Sequence, residues 1–235
     1  MTGPLAGAVA LVTGASRGLG AATAVELARL GAHVVITGRV QGGLEETDDA
    51  VRAVGGTATL LPLDLAEGAQ VDAIGPSLYE RFGRLDVLVH AAAALGLLTP
   101  APHIQDRDFD AAIAVNLTAA MRLIRGCGPL LAAAPAGRAV FVTTARAQAP
   151  KAYWGTYGAT KAALDHLALT WADEVATIAL RVNLFDPGKM ATRLRRGAFP
   201  GEDQSVLPKP ADVAPALAAL CLPEETRNGV LVRAA

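Results

Sequence analysis

The sequence predicts an α/β fold: one doubly wound parallel sheet of seven strands with helices on both faces. Three observations predict it. Apolar runs of strand length alternate with amphipathic runs of helix length along the whole chain of 235 residues. Most of the strand-length runs are nearly continuously apolar, the pattern of strands buried on both faces. A glycine-rich turn, TGASRGLG, separates the first such run from the first amphipathic segment.

The first strand is read at residues 8–13 (AVALVT), ending at Gly14. A helix follows at 19–30, stopped by Gly31, because glycine readily leaves helical geometry. The second strand is 33–37 (HVVIT), followed by a helix at 44–54. Residues 57–63 (TATLLPL) and 85–91 (LDVLVHA) are the third and fourth strands, separated by a helix at 71–82. A long helix at 109–131 leads to the fifth strand, 138–143 (RAVFVT). The helix at 157–175, the strand at 180–184 (LRVNL), the helix at 212–222 and the strand at 230–232 complete the series. Strict alternation implies right-handed crossovers. No linker, repeat or low-complexity block beyond general alanine richness interrupts it, so residues 1–235 are read as one domain. The segment 188–210 is too polar and too rich in Gly and Pro for core. A connection of that length is expected to act as a substrate lid.

Composition narrows the function. The chain is 52% hydrophobic and 18% charged, which suits a large core covering both sheet faces. A formal net charge of -1 gives no electrostatic footprint for nucleic acid or an anionic membrane. Cys127 and Cys221 are far apart, in neither metal-ligand nor redox spacing, and read as reduced core cysteines. No metal site is expected. The N-terminus lacks a basic n-region and runs directly into the first strand. The longest apolar stretch, 87–98, is broken by His90 and Gly96 and falls short of the roughly 18 residues a membrane span needs. A soluble, cytoplasmic protein is expected.

Gly14, Gly18 and Gly20 have the spacing G-x-x-x-G-x-G, with Ser16, Arg17 and Leu19 completing the turn. Between a strand and a helix, such a turn lets the backbone approach a pyrophosphate, and the helix N-terminus offers free N–H groups. At the end of the second strand an acidic residue would bind a ribose 2′-hydroxyl. Here the residues are Thr37-Gly38-Arg39. Arg39, with Arg17, instead suits a 2′-phosphate, because a guanidinium matches phosphate bidentately. The expected cofactor is NADP(H) in preference to NAD(H). Asp64-Leu65 ends the third strand; Asp64 either flanks an adenine or caps the next helix.

Tyr157 and Lys161 stand at i and i+4, one face of a helix. A phenol is a poor acid or base at neutral pH, and a neighbouring ammonium is expected to lower its pKa. With TGASRGLG, the DL at 64–65, AVNL around Asn116, Thr144, YGATK and Pro187-Gly188, the whole chain resembles the short-chain dehydrogenase/reductase family in its short, single-domain form. The resemblance implies a Rossmann-like fold, with Tyr157 as acid/base and Lys161 on the nicotinamide ribose. It places Asn116 at a helix kink holding a relay water, and Thr144 on the substrate oxygen. Ala91, Ala92, Pro187, Gly188, Met190 and Thr192 would contact the cofactor.

Three departures stand out. The family's N-N-A-G is His90-Ala91-Ala92-Ala93 here, which puts cofactor affinity in question. Thr144 replaces a serine, and Asp186 replaces an asparagine. His90 reads as a strand residue with a structural hydrogen bond. Tyr153, Trp154 and Phe199 are candidate aromatic walls for a small, partly apolar carbonyl or alcohol substrate. Lys189, Arg193, Arg195 and Arg196 either meet an acidic substrate or form a solvated lid face. The helices at 109–131 and 157–175 are apolar on more than one side, which predicts a homodimer or homotetramer. The alternative to an oxidoreductase is a non-catalytic NADP(H)-binding module or sensor. An epimerase or dehydratase of the longer related group is disfavoured, because 235 residues leave no room for an extra substrate domain.

Overall fold

The structure of the protein, a computed structural model, describes residues 3–234. Its strands are β1 (Val9–Thr13), β2 (His33–Gly38), β3 (Thr57–Pro62), β4 (Val87–His90), β5 (Arg138–Val142), β6 (Arg181–Asp186) and β7 (Leu231–Arg233). The helices are α1 (Gly18–Arg29), α2 (Gln41–Ala53), α3 (Gly68–Asp72), α4 (Ile74–Phe82) and α5 (Asp106–Ile113). They continue with α6 (Ala119–Ala133), α7 (Ala145–Gln148), α8 (Gly155–Glu174), α9 (Arg193–Ala198) and α10 (Pro210–Ala219). The sheet is parallel throughout, in the order β3-β2-β1-β4-β5-β6-β7. This is the predicted doubly wound, seven-stranded α/β fold. The strand order reverses between β1 and β4, which opens a crevice at the carboxyl ends of those strands.

Alternate strand residues feed two cores. Ala10 and Val12 face α1, α2 and α10, where Leu27, Leu44, Val51 and Leu217 are buried. Val9 and Leu11 face the other way, toward Leu78, Leu123, Leu131 and Leu164 of α4, α6 and α8. Each fully buried Leu or Phe contributes roughly 1.5–3 kcal/mol by leaving water. Trp171 and Phe141 pack edge to face with ring centres 6.2 Å apart, which seats α8 over β5. Cys127 and Cys221 are buried and unpaired. Burial pushes both thiols up to about 12, so they act as core residues. No described helix is long and apolar enough to cross a membrane.

The structure departs from the sequence reading in three places. The helix expected at 71–82 is two helices, α3 and α4, meeting at Ala73. Pro76 lies in the first turn of α4 and has no N–H to continue the ladder from α3. The helix expected at 109–131 is α5 and α6 joined by a π turn, Ala114–Thr118. The segment 188–210 contains α9 and a 3-10 turn, Gln204–Val206, where a loop without secondary structure was expected. The reason lies in the site.

Candidate active site

A cavity of about 880 Å³ opens at the carboxyl ends of β1, β4, β5 and β6. Apart from Asn116, all the residues assigned above to chemistry or cofactor binding line it.

Its floor is the glycine turn. Gly14 adopts φ +67°, and a Cβ there would lie 2.7 Å from the Cα of Ala92. A Cβ on Gly20 would lie 2.5 Å from the Gly14 carbonyl oxygen. Only glycines let β1 turn into α1 this tightly. Arg17, the residue before α1, is extended, and no side chain caps the helix, so its first-turn amides are left for an external acceptor. Gly18, at φ +63°, faces Thr192 of the loop after β6. At the end of β2, Arg39 is 68% exposed and stands 3.7 Å from Asp64. Asp64 also accepts from the Ala66 amide at 3.0 Å. It therefore caps a turn and stands on the cavity wall beside Arg39. Uncapped amides, Arg17 and Arg39 fit an anionic dinucleotide.

The other half of the cavity carries Thr144, Tyr157, Lys161 and Asp186. Tyr157 is 7% and Lys161 1% exposed. The Lys161 ammonium donates to the Val142 carbonyl at 2.8 Å. Burial lowers its pKa to about 8, and the Asp165 carboxylate opposes the shift. Thr144 caps α7: its Oγ1 accepts from the Arg146 amide at 3.3 Å. Its own proton remains free to donate into the cavity. Asp186 accepts from the Gly188 amide at 3.0 Å.

Asn116 sits in the π turn, 0% exposed. Its Oδ1 accepts from the Ala94 amide at 2.7 Å, and its Nδ2 donates to the Ala94 carbonyl and to Thr160 Oγ1, each at 2.9 Å. The side chain is a strut that holds the 91–94 segment against α8. A second strut comes from β1. Thr13 Oγ1 accepts from the Ala92 amide at 3.3 Å and pairs with His90 Nδ1 at 3.0 Å. His90 thus has the structural hydrogen bond expected of it, and the segment is held without an asparagine at Ala91.

The sequence profile of the short chain dehydrogenase family matches residues 8–203. The chain belongs to that family. The oxidoreductase YciK of Escherichia coli K12 is 32% identical over 210 residues, covering 88% of this chain and 83% of YciK. An Escherichia coli CFT073 protein, described as a short chain dehydrogenase and complexed with NADPH, superposes with a TM-score of 0.92 at 30% identity, covering 97% of both chains. A metagenomic short-chain oxidoreductase in complex with NADP superposes with a TM-score of 0.84 at 32% identity, covering 99% of both chains.

One expectation for this short chain dehydrogenase needs correction. Lys161 was expected to bring the Tyr157 phenol down, but burial pushes it up, and the Asp186 carboxylate adds to the rise. A shared helix face puts Tyr157 and Lys161 side by side; it does not offset the loss of water around a buried phenol. Asn116 stands at a kink, the π turn between α5 and α6. A second reading is reduced: Arg195 is not free for a substrate. It forms a bidentate pair with Glu202 at 2.5 Å and stacks over Phe199 at 3.7 Å. Phe199 in turn packs against Trp154 at 5.6 Å, and Trp154 against Tyr157 at 5.9 Å. This clamp gives α9 its anchor and ties the 188–210 segment to Tyr157. Glu202 and the strut partner Thr160 escaped the sequence reading, since neither carries a spacing signal.

The buried histidine makes the family fold acid-sensitive. Burial, with a lesser contribution from Lys161, lowers the His90 pKa from 6.5 to about 3. Between those values the unfolded chain binds a proton that the native state refuses, so stability falls as pH drops below 6.5. Lys161 is protonated in both states there and adds nothing. At pH 4.5 the cost is about 2–3 kcal/mol. Urea unfolding of wild type and His90→Asn at pH 7 and 4.5 is expected to show a smaller acid loss in the variant. Equal losses would remove His90 from the account.

Proposed function

We propose that this chain is an NADP(H)-dependent oxidoreductase acting on a small carbonyl compound or secondary alcohol. The reading rests on one observation: Thr144, Tyr157 and Lys161 share a single cavity with an uncapped glycine turn. The NADP and NADPH complexes of its structural relatives support the same cofactor. When bound, the nicotinamide supplies or accepts the hydride. The protein's own part is positioning and proton transfer. Thr144 donates its hydroxyl proton to the substrate oxygen, orienting and polarising the carbonyl. Tyr157, kept protonated by burial, delivers the proton that completes the alcohol. Lys161, anchored on Val142, places its positive charge beside the phenol oxygen at the moment it becomes negative, and can bind a ribose hydroxyl. Asn116 and Thr13 keep the 91–94 wall in place. The 188–210 segment acts as a lid through Phe199 and Trp154. Met121 on α6 and Leu169 on α8 are exposed, and we place a homodimer or homotetramer contact on those helices.

The test is a titration with NADPH and with NADH, following the fluorescence of Trp154 and Trp171. NADPH is expected to bind at least about tenfold more tightly, since one charge-assisted phosphate contact contributes roughly 1.5–3 kcal/mol. Arg39→Ala should bring the two affinities together. Binding of neither cofactor would remove the proposal. NADPH binding without turnover on any aldehyde or ketone would leave the sensor reading in its place.

A further inference from the structure

We infer that the carbonyl substrate carries a carboxylate, held by Arg146 and Lys151 at the end of the cavity remote from the glycine turn. The inference rests on the oxidoreductase reading above and names its substrate class.

The charge distribution points there. The chain as a whole has a net charge of -1, yet its cavity is lined by Arg17, Arg39, Arg146, Lys151, Lys189 and Arg193 besides Lys161 and the clamped Arg195. The carboxylates on the same wall are Asp64, beside Arg39, and Asp186, held by the Gly188 amide. Such a lining is built for anions. A dinucleotide phosphate end engages the cations near the turn: Arg17 and Arg39 directly, and Lys189 and Arg193 on the loop whose Thr192 faces Gly18. Arg146 and Lys151 lie on the segment between Thr144 and α8, the helix that carries Tyr157.

Their placement fits a substrate anion. Arg146 follows Thr144 by two residues and its amide donates to the capping Thr144 hydroxyl, so its side chain leaves the wall beside the group that would hold the carbonyl. One guanidinium nitrogen donates to the Ala149 carbonyl at 3.2 Å, which steers the side chain and leaves other N–H groups free. The Lys151 ammonium stands 6.0 Å from the Phe199 ring centre. Among the described residues, neither Arg146 nor Lys151 has a carboxylate within ion-pair distance. Between them and Tyr157 runs the Trp154–Phe199 wall, an apolar face for a flat body. The occupant is a compact, flat carbonyl compound with its acid group a ring's width from the reacting carbon.

The probe pair is 4-formylbenzoate and its methyl ester, compared as kcat/KM with NADPH at low ionic strength. The ester is the more electrophilic aldehyde, so chemistry alone favours it. The expected result is a preference for the acid of about tenfold or more. It should shrink with added salt and collapse in the Arg146→Gln, Lys151→Gln double variant. Turnover of both with no preference for the acid would overturn this inference and leave the oxidoreductase reading intact. A preference that survives the double variant would also overturn it. Turnover of neither compound, nor of any neutral carbonyl, would remove both.

Discussion

Tyr157→Phe is expected to lower carbonyl reduction by roughly 10²–10⁴-fold, the range for loss of a positioned proton donor. NADPH affinity should stay within about twofold. The substitution deletes only the hydroxyl. The ring keeps its edge contact with Trp154 at 5.9 Å, and Lys161 keeps its anchor on Val142 at 2.8 Å. The loss should fall on kcat, because the phenol acts when the oxygen gains charge, a change made in the transition state. The measurement is kcat and KM for one aldehyde, beside NADPH titration of the same preparation. Full turnover in the variant would sink the assigned role. A loss confined to KM would recast Tyr157 as a binding group.

Gly14→Ala should be as damaging to the fold as Tyr157→Phe is to the chemistry. Gly14 holds φ +67°, and an added Cβ would lie 2.7 Å from the Cα and 2.8 Å from the nitrogen of Ala92. The left-handed backbone costs an alanine about 1–2 kcal/mol. Forcing β1 away from the 91–94 segment costs about 1–3 kcal/mol more. Together these lower the melting temperature by roughly 4–20 °C and should weaken NADPH binding, since the same turn forms the cavity floor. Gly7→Ala separates the two effects. Gly7 has φ +78°, but a Cβ there meets nothing within 4 Å, so it pays only for the backbone. Equal melting temperatures for the two variants would mean the contact with Ala92 contributes nothing.

Much of this was legible in the chain. All seven strands fall within two residues of their expected ends; β1, β4 and β5 are buried along their whole length and announce themselves as apolar runs. The glycine turn was legible because Gly14 and Gly20 are demanded by backbone geometry a few residues away. Tyr157 and Lys161 were legible as a pair at i and i+4, whereas Thr144 came from the resemblance of the whole chain to the short-chain dehydrogenase/reductase family. The split helices were not, since Pro76 and the π turn are small perturbations of a continuous periodicity. The Arg195–Glu202–Phe199 clamp was hidden too, because its charges sit in a stretch whose composition reads as loop. A buried charge such as Arg138, 4% exposed and donating to the Gly137, Ala179, Leu222 and Pro223 carbonyls, has partners that no local pattern discloses.

The chain alone thus determined the order and type of its elements, the glycine turn and the identity of the side chains proposed to react. These are properties of local periodicity, backbone freedom and functional-group chemistry. The tertiary structure alone decided how those groups are tuned and used. It buried the Tyr157 phenol and raised its pKa, and it engaged Asn116 on Ala94 and Thr160. It drew Arg195 onto Glu202 and, among the described residues, left Arg146 and Lys151 without counter-ions. Desolvation and pairing depend on residues that meet only when distant segments pack, so they become readable only once the sheet has brought those segments together.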